Sequence, residues 1–374
     1  MSTASPPDDE SPHRLRLSLA AAMTLGFKPG IFYRNARLHC INLLLTYADG
    51  CHANCAYCGL SGRRRDSWQE RSFIRVAWPT HPLDEIETAM AQRRNRIKRI
   101  CVSMVTQRRA AADTLAVIRR LGQLEIPISV LVAPTVIDAG DLRAFKAAGA
   151  DRIGVAIDLA TEELFDRYRG SQVGGPHRWE TYWNCLQTAL EIFGAGRAGA
   201  HFMVGMGETE AEMCQAMQRT RDMGGLTHLF SFFPESGSLL AHRSPPPMDV
   251  YRRIQLARYL IDTDRTRCES FSFDCEDRID GFRLAPDALE RIIDVGEPFR
   301  TSGCKGRDGT VACNRPYGNE RPGPDLRNYP FAPEPADIAR IRGQLGGSIS
   351  ACHLDKQRAD QDPLRPGRQV VAHG

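Results

Sequence analysis

Short β-type runs alternate with amphipathic helical stretches along most of the chain, and this alternation limits the possible folds most. The runs are CINLLLTY (40–47), KRICVSMV (98–105), IPISVLVA (126–133), DRIGVAID (151–158), GAHFMVGM (199–206), LTHLFSFF (226–233) and ESFSFD (269–274). Helical stretches near 83–96, 109–123, 139–149, 178–194, 208–224 and 248–263 separate or follow them. Strands joined through helices pair in parallel, because a parallel pair needs a crossover connection. At least seven such units predict an α/β fold of the (β/α)8 TIM type, with its active site at the strand C-termini. A doubly wound open sheet is the alternative. The barrel is expected over residues 38–300. An N-terminal extension (1–37), disordered at its start, precedes it; a cysteine-containing segment (301–332) and a mobile tail (333–374) follow.

Composition excludes several classes. With 42% apolar and 25% charged residues, the 374-residue chain is not collagenous, coiled-coil or wholly disordered. No run approaches the ~18 apolar residues of a membrane span. The start, MSTASPPDDESPHRLR, lacks the apolar core of a secretory signal, so a cytoplasmic protein is expected. A net charge of +4 is too small to argue for nucleic acid, and neither nucleic acid nor membrane is an expected partner. Twelve cysteines are many for a reducing compartment unless some hold metal.

The segment TYADGCHANCAYCGLSGR places Cys51, Cys55 and Cys58 in a C-x3-C-x2-C spacing directly after the first strand. Three thiolates on one loop suit three irons of a cubane cluster and leave the fourth iron open. Zinc sites with four cysteines usually come as two C-x2-C knuckles, which this loop does not provide.

On these residues the chain resembles the radical S-adenosylmethionine (SAM) superfamily, and its barrel is then a radical SAM barrel. The resemblance implies that Cys51, Cys55 and Cys58 are the candidate catalytic residues. They would hold a 4Fe-4S cluster whose open iron chelates SAM, and Tyr57 would stand near the adenine. Asp158, closing GVAID, resembles the acid that bonds the SAM ribose in biotin-synthase-like members; its other reading is a helix N-cap before ATEEL. VGMGETEAEM resembles the VGLGET turn of the same group, with Gly205 and Gly207 letting backbone approach the cofactor and Glu208 opening the next helix. FSFFPESGSLL is similar to another strand-turn of that group.

Nine cysteines remain. Cys101 shares a strand face with Ser103 and matches one barrel ligand of biotin synthase, though a buried small hydrophobe explains it as well. The segment TSGCKGRDGTVACNRPYGNERP, with WPTHPLDEI and GGPHRWETYW, resembles a biotin-synthase-related family that includes the second component of two-protein lipoyl synthases. Its cysteines, Cys304 and Cys313, are spaced C-x8-C where the family pattern has C-x2-C. The resemblance implies an auxiliary iron-sulfur cluster on Cys304 and Cys313, with Cys275 as a third ligand. It also implies a sulfurtransferase of the lipoyl synthase type, inserting sulfur into an octanoyl chain on a lipoyl carrier protein. A companion radical SAM component and a ferredoxin or flavodoxin electron donor are the further partners. Biotin-synthase-like chemistry on a small molecule is the alternative. Cys40, Cys185, Cys214, Cys268 and Cys352 are expected to be structural. The basic runs at 62–66 and 93–98, and His177, Trp179 and Trp183, are open to partner or substrate contact as well as to simple solvation and packing.

Overall fold

A computed structural model describes residues 9–64, 71–316, 323 and 325–346. The chain opens with strand β1 (Arg14–Leu17), helix α1 (Leu19–Leu25), β2 (Cys40–Leu45), β3 (Thr80–Pro82) and α2 (Leu83–Gln92). It continues through β4 (Arg99–Ser103), α3 (Ala110–Gly122), β5 (Ile128–Val132), α4 (Ala139–Ala147) and β6 (Ala150–Asp158). Then come α5 (Glu162–Tyr168), α6 (Trp179–Phe193), β7 (Ala198–Val204), α7 (Glu210–Asp222) and β8 (Leu226–Ser231). Last are α8 (Met248–Asp262), β9 (Ser272–Phe273), β10 (Ile279–Gly281), α9 (Pro286–Val295) and α10 (Pro335–Leu345).

The main sheet has eight strands in the order β3-β1-β2-β4-β5-β6-β7-β8. From β2 to β8 the six strands run parallel in chain order, as right-handed β/α units require. This is the mostly parallel α/β sheet that the alternation predicts. The other two strands are antiparallel: Leu15 pairs with Leu45, and His81 with Leu15. Parallel strands are covered on both faces and read as unbroken apolar runs, and all six residues of β2 are buried. Helix starts are fixed locally. Asp138 and Asp141 form a capping box on α4, as Thr209 and Glu212 do on α7.

Three expectations change here. The N-terminal extension is not peripheral, because Leu15 and Leu17 are fully buried and extend the sheet past β2. ESFSFD does not join the sheet: only Ser272–Phe273 is extended, paired with β10 in a separate hairpin. The tail begins as a helix, α10, started by a Glu334–Asp337 capping box and held by buried Ile338, Ile341 and Leu345. Residues 347–374, with Cys352, lie outside the described residues.

Candidate active site

The loop after β2 carries Cys51, Cys55 and Cys58 at the C-terminal edge of the parallel strands. It is tied to its neighbours by backbone: His52 N–H donates to the Thr106 carbonyl (2.8 Å) after β4, and Ala56 N–H to Tyr168 O (2.7 Å) at the end of α5. All three thiols line one cavity of about 200 Å³. Its walls are mostly apolar: Leu44, Met104, Val105, Leu131, Val132, Met203, Phe230 and Phe233. Burial pushes the Cys55 thiol up to about 11 and raises Cys51 and Cys58 as well. Without a metal these groups are thiols at neutral pH, so loading iron releases protons.

Across the cavity, Tyr57 Oη donates to Asp158 Oδ2 at 2.6 Å. Asp158 also pairs with buried Arg169, whose Nη1 lies 2.9 Å from the same oxygen and 3.1 Å from the Ile157 carbonyl. Arg169 Nη2 donates to Tyr182 Oη (3.0 Å), which meets His177 Nδ1 at 2.9 Å. Burial raises the Asp158 carboxyl, opposed by Arg169 and the Tyr57 hydroxyl. Burial and the two arginines, Arg169 and Arg178, push His177 down to about 2, so its ring is neutral. Asp158 is not a helix cap. Thr161 holds that position on α5, accepting from Leu164 N (3.3 Å), while Asp158 sits at a left-handed φ of 68°. Held at that strained angle, its carboxylate lines the cavity.

Cys51, Cys55, Cys58, Tyr57 and Asp158 are therefore brought together, and His177 joins them. Trp179 and Trp183 pack edge-on against each other instead. Gly205, Gly207 and Glu208 do not line the cavity. They form a turn that the Glu208 carboxylate closes, accepting from Gly205 N (2.7 Å) and Met206 N (2.8 Å). Gly205, at φ 101°, leaves room for Pro246, which a Cβ would approach to 2.6 Å. Sequence reading missed Arg169 and Tyr182, as an arginine after a short helix reads as a solvated end. It also missed Glu235, buried at the mouth and accepting from Ser72 Oγ (2.7 Å) and Arg75 N (2.5 Å). Among the described residues of the basic runs, Arg64 reaches the Ser236 carbonyl (2.6 Å) and Lys98 pairs with Asp308 (2.6 Å). A larger concavity, about 980 Å³, is an open groove lined by Trp183, Arg219, Asp222 and Glu269, and it gathers none of the expected ligands.

A second group of thiols lies near the N-terminal ends of the strands. The segment after α9 folds back there. Arg99 donates to the Lys305 carbonyl (2.7 Å) while paired with Asp151, and Asn314 Nδ2 bonds the Arg37 carbonyl (2.6 Å). This sets Cys304 and Cys313 close enough to Cys101 for the three thiols to repel one another's charge. Burial pushes Cys101 up to about 12. Cys313 is held well below the usual thiol range, chiefly because the Cys40 thiol donates to it, with Arg315 Nε (3.2 Å) and Asn42 Nδ2 (3.7 Å) adding to this. Cys40 and Cys101 therefore join this group, which sequence reading did not foresee for Cys40. Cys275 does not: it is exposed, in the turn between β9 and β10, because the strand expected before it is a two-residue hairpin arm. Of the residues following Cys313, Tyr317, Asn319 and Arg321 fall outside the described ones. Cys101 and Arg315 line a small cavity of about 50 Å³, which shares Leu131, His201 and Phe230 with the larger one.

Among the described residues no three His, Cys, Asp or Glu side chains form a group that could hold one metal ion. A cubane asks for something different, since each thiolate binds a different iron and the ligands stand around the cluster. Cys51, Cys55 and Cys58, lining one cavity from a single loop, fit that demand.

No curated protein matches the chain. Among solved structures, methylornithine synthase (PylB) is 12% identical with a TM-score of 0.48, covering 90% of this chain and 89% of that one. The FeFe-hydrogenase maturase HydG from Carboxydothermus hydrogenoformans is 16% identical at a TM-score of 0.47, covering 92% and 82%. The radical SAM methyltransferase TsrM from Kitasatospora setae, with cobalamin and a [4Fe-4S] cluster bound, is 15% identical at 0.38, covering 56% and 40%. A model of the radical SAM superfamily matches residues 45–220, from the end of β2 into α7. The chain carries a radical SAM superfamily domain, and its cofactors are the 4Fe-4S cluster and S-adenosylmethionine of that family.

Proposed function

We propose that this protein is a radical SAM sulfurtransferase of the lipoyl synthase type. It inserts sulfur into an octanoyl chain on a lipoyl carrier protein, with a companion radical SAM protein and a ferredoxin or flavodoxin as electron donor. The observation that carries this reading is the second thiol group. Cys313 is buried and Cys101 and Cys304 are partly buried, and Cys101 lines a small cavity that shares Leu131, His201 and Phe230 with the larger one. Sulfur insertion needs a sulfur source, and an auxiliary cluster on those thiols would supply it. The apolar cavity wall suits an aliphatic chain, whose transfer from water is favourable at roughly 0.8 kcal/mol per buried CH2.

A 4Fe-4S cluster with bound SAM would supply the reductive, radical chemistry needed to activate a C–H bond. The protein's own residues position and shield. Cys51, Cys55 and Cys58 would hold that cluster at the strand ends. Tyr57 and Arg169 hold the Asp158 carboxylate in place for a hydroxyl donor. Leu131, Met203 and Phe230 keep water from the reacting carbon.

The test is an anaerobic iron and sulfide count, with Mössbauer spectra, on wild type and on Cys51→Ala/Cys55→Ala/Cys58→Ala. About four irons left in the triple variant support sulfur insertion. None left means that only the SAM cluster forms, and a radical SAM reaction on a small molecule that needs no sulfur donor becomes the better reading.

A further inference from the structure

The proposed function leaves His201 without a role. It stands on β7 between the two thiol groups. It lines the cavity of Cys51, Cys55 and Cys58 and also the small cavity of Cys101 and Arg315. The side chain is only 8% exposed, and neither ring nitrogen has a hydrogen-bond partner among the described residues. An imidazole that meets the two cavities rather than a protein hydrogen-bond partner is available to bind a ligand.

The ring is held in place. It stacks on Phe230 (centroids 5.3 Å apart, 28° between planes) and meets the His228 ring edge-on at 5.0 Å. Gly154 makes the space: a Cβ there would lie 2.9 Å from His201 Nε2 and 3.1 Å from Leu131 Cδ1. From this ring, contacts run to the second thiol group. Phe230 carries the Arg315 guanidinium 4.2 Å from its centroid, and Arg315 Nε bonds Cys313 Sγ. The imidazole is thus linked to Cys313 through Phe230 and Arg315, and shares the small cavity with Cys101. Cys101, Cys304 and Cys313 supply three thiolates, which leaves one position of a cluster to fill. Imidazole is a fitting iron ligand and binds iron-sulfur clusters elsewhere, raising their potentials.

We infer that His201 is the non-cysteine ligand of the inner iron-sulfur cluster, completing the set of Cys101, Cys304 and Cys313 on the side facing the SAM cavity. This rests on the reading that those cysteines hold a cluster. The competing donor, Cys40, begins β2 in register with Arg99, two residues further from the C-terminal strand ends than Asn42 and Cys101.

The experiment uses the Cys51→Ala/Cys55→Ala/Cys58→Ala protein, grown with isotopically labelled histidine, loaded anaerobically with iron and sulfide, reduced with dithionite and measured by pulsed EPR. The expected signal is hyperfine coupling to a histidine nitrogen bound to iron. It is lost in added His201→Phe and kept in His228→Phe. Added His201→Cys, which offers a thiolate instead, keeps the iron and loses the coupling. A cluster without histidine coupling, or coupling that survives His201→Phe, overturns the inference and leaves the second cluster standing. A triple variant that binds no iron overturns both the inference and the sulfur-insertion reading.

Discussion

Tyr57 and Asp158 lie 101 residues apart in the chain, and the phenol of one donates to the carboxylate of the other at 2.6 Å. The contact joins the cysteine loop to the end of β6. Arg169, on the same carboxylate oxygen, makes a buried set of three. Losing the charge should therefore cost more than losing the hydroxyl. Tyr57→Phe removes one hydrogen bond to a charged group, about 1.5–3 kcal/mol. Asp158→Ala leaves Arg169 buried and unpaired, about 3–5 kcal/mol. Denaturant midpoints of the two variants at pH 7.5 check this order, and equal losses would mean that Arg169 is neutralised by another group.

Cysteine variants should separate the two thiol groups. Cys304→Ala or Cys313→Ala is expected to lower bound iron by about half, down to the single cluster of the SAM site. Cys275→Ala, at an exposed turn, should leave iron unchanged. Iron loss in Cys275→Ala would return that residue to the ligand set.

His177 gives the acid side of the stability curve a specific origin. Its folded-state value of about 2 is depressed below the ordinary histidine range. The unfolded chain therefore binds the extra proton first as pH falls. The contribution is complete above the unfolded value near 6.5 and is lost below it, at roughly 1.4 kcal/mol for each pH unit. His177→Gln should flatten the fall in urea midpoint between pH 6.5 and pH 4.5. A wild-type slope retained in this variant would assign the acid sensitivity to other groups.

Gly154→Ala should disturb His201 without removing it. The added methyl carbon would sit 2.9 Å from Nε2, so the ring must shift against the Phe230 face. The expected result is an unchanged iron count with a weakened histidine coupling in the pulsed EPR of the reduced inner cluster. Coupling equal to that of the parent would show that the ring accommodates the methyl group by a small shift.

Where the cysteine loop stands was legible because its signals are local. C-x3-C-x2-C spacing sets three thiols on one loop, and apolar runs of strand length followed by amphipathic stretches impose parallel pairing. The six parallel strands and the helices between them therefore follow from residues close in sequence. Asp158 could be chosen from its place at the end of GVAID, although its partners could not. Arg169 and Tyr182 gain meaning only when α5 and α6 pack against β6.

Tertiary structure alone decided the rest. Leu15 and Leu17 read as part of a polar N-terminal arm, yet β2 offers them an unpaired edge. Cys40 and Cys101 look like buried hydrophobes within their strands. They become members of a thiol group only because Arg99 and Asn314 fasten a segment some 200 residues later against the same end of the sheet. His201 shows the same limit, since nothing in GAHFMVGM tells whether its ring is solvated. Sequence by itself determined the parallel β/α order and the cysteine loop, because periodicity and short-range spacing act within a few residues. Only the fold decided which distant thiols and imidazole share one interior, because long-range contacts depend on how packed elements close around a common space.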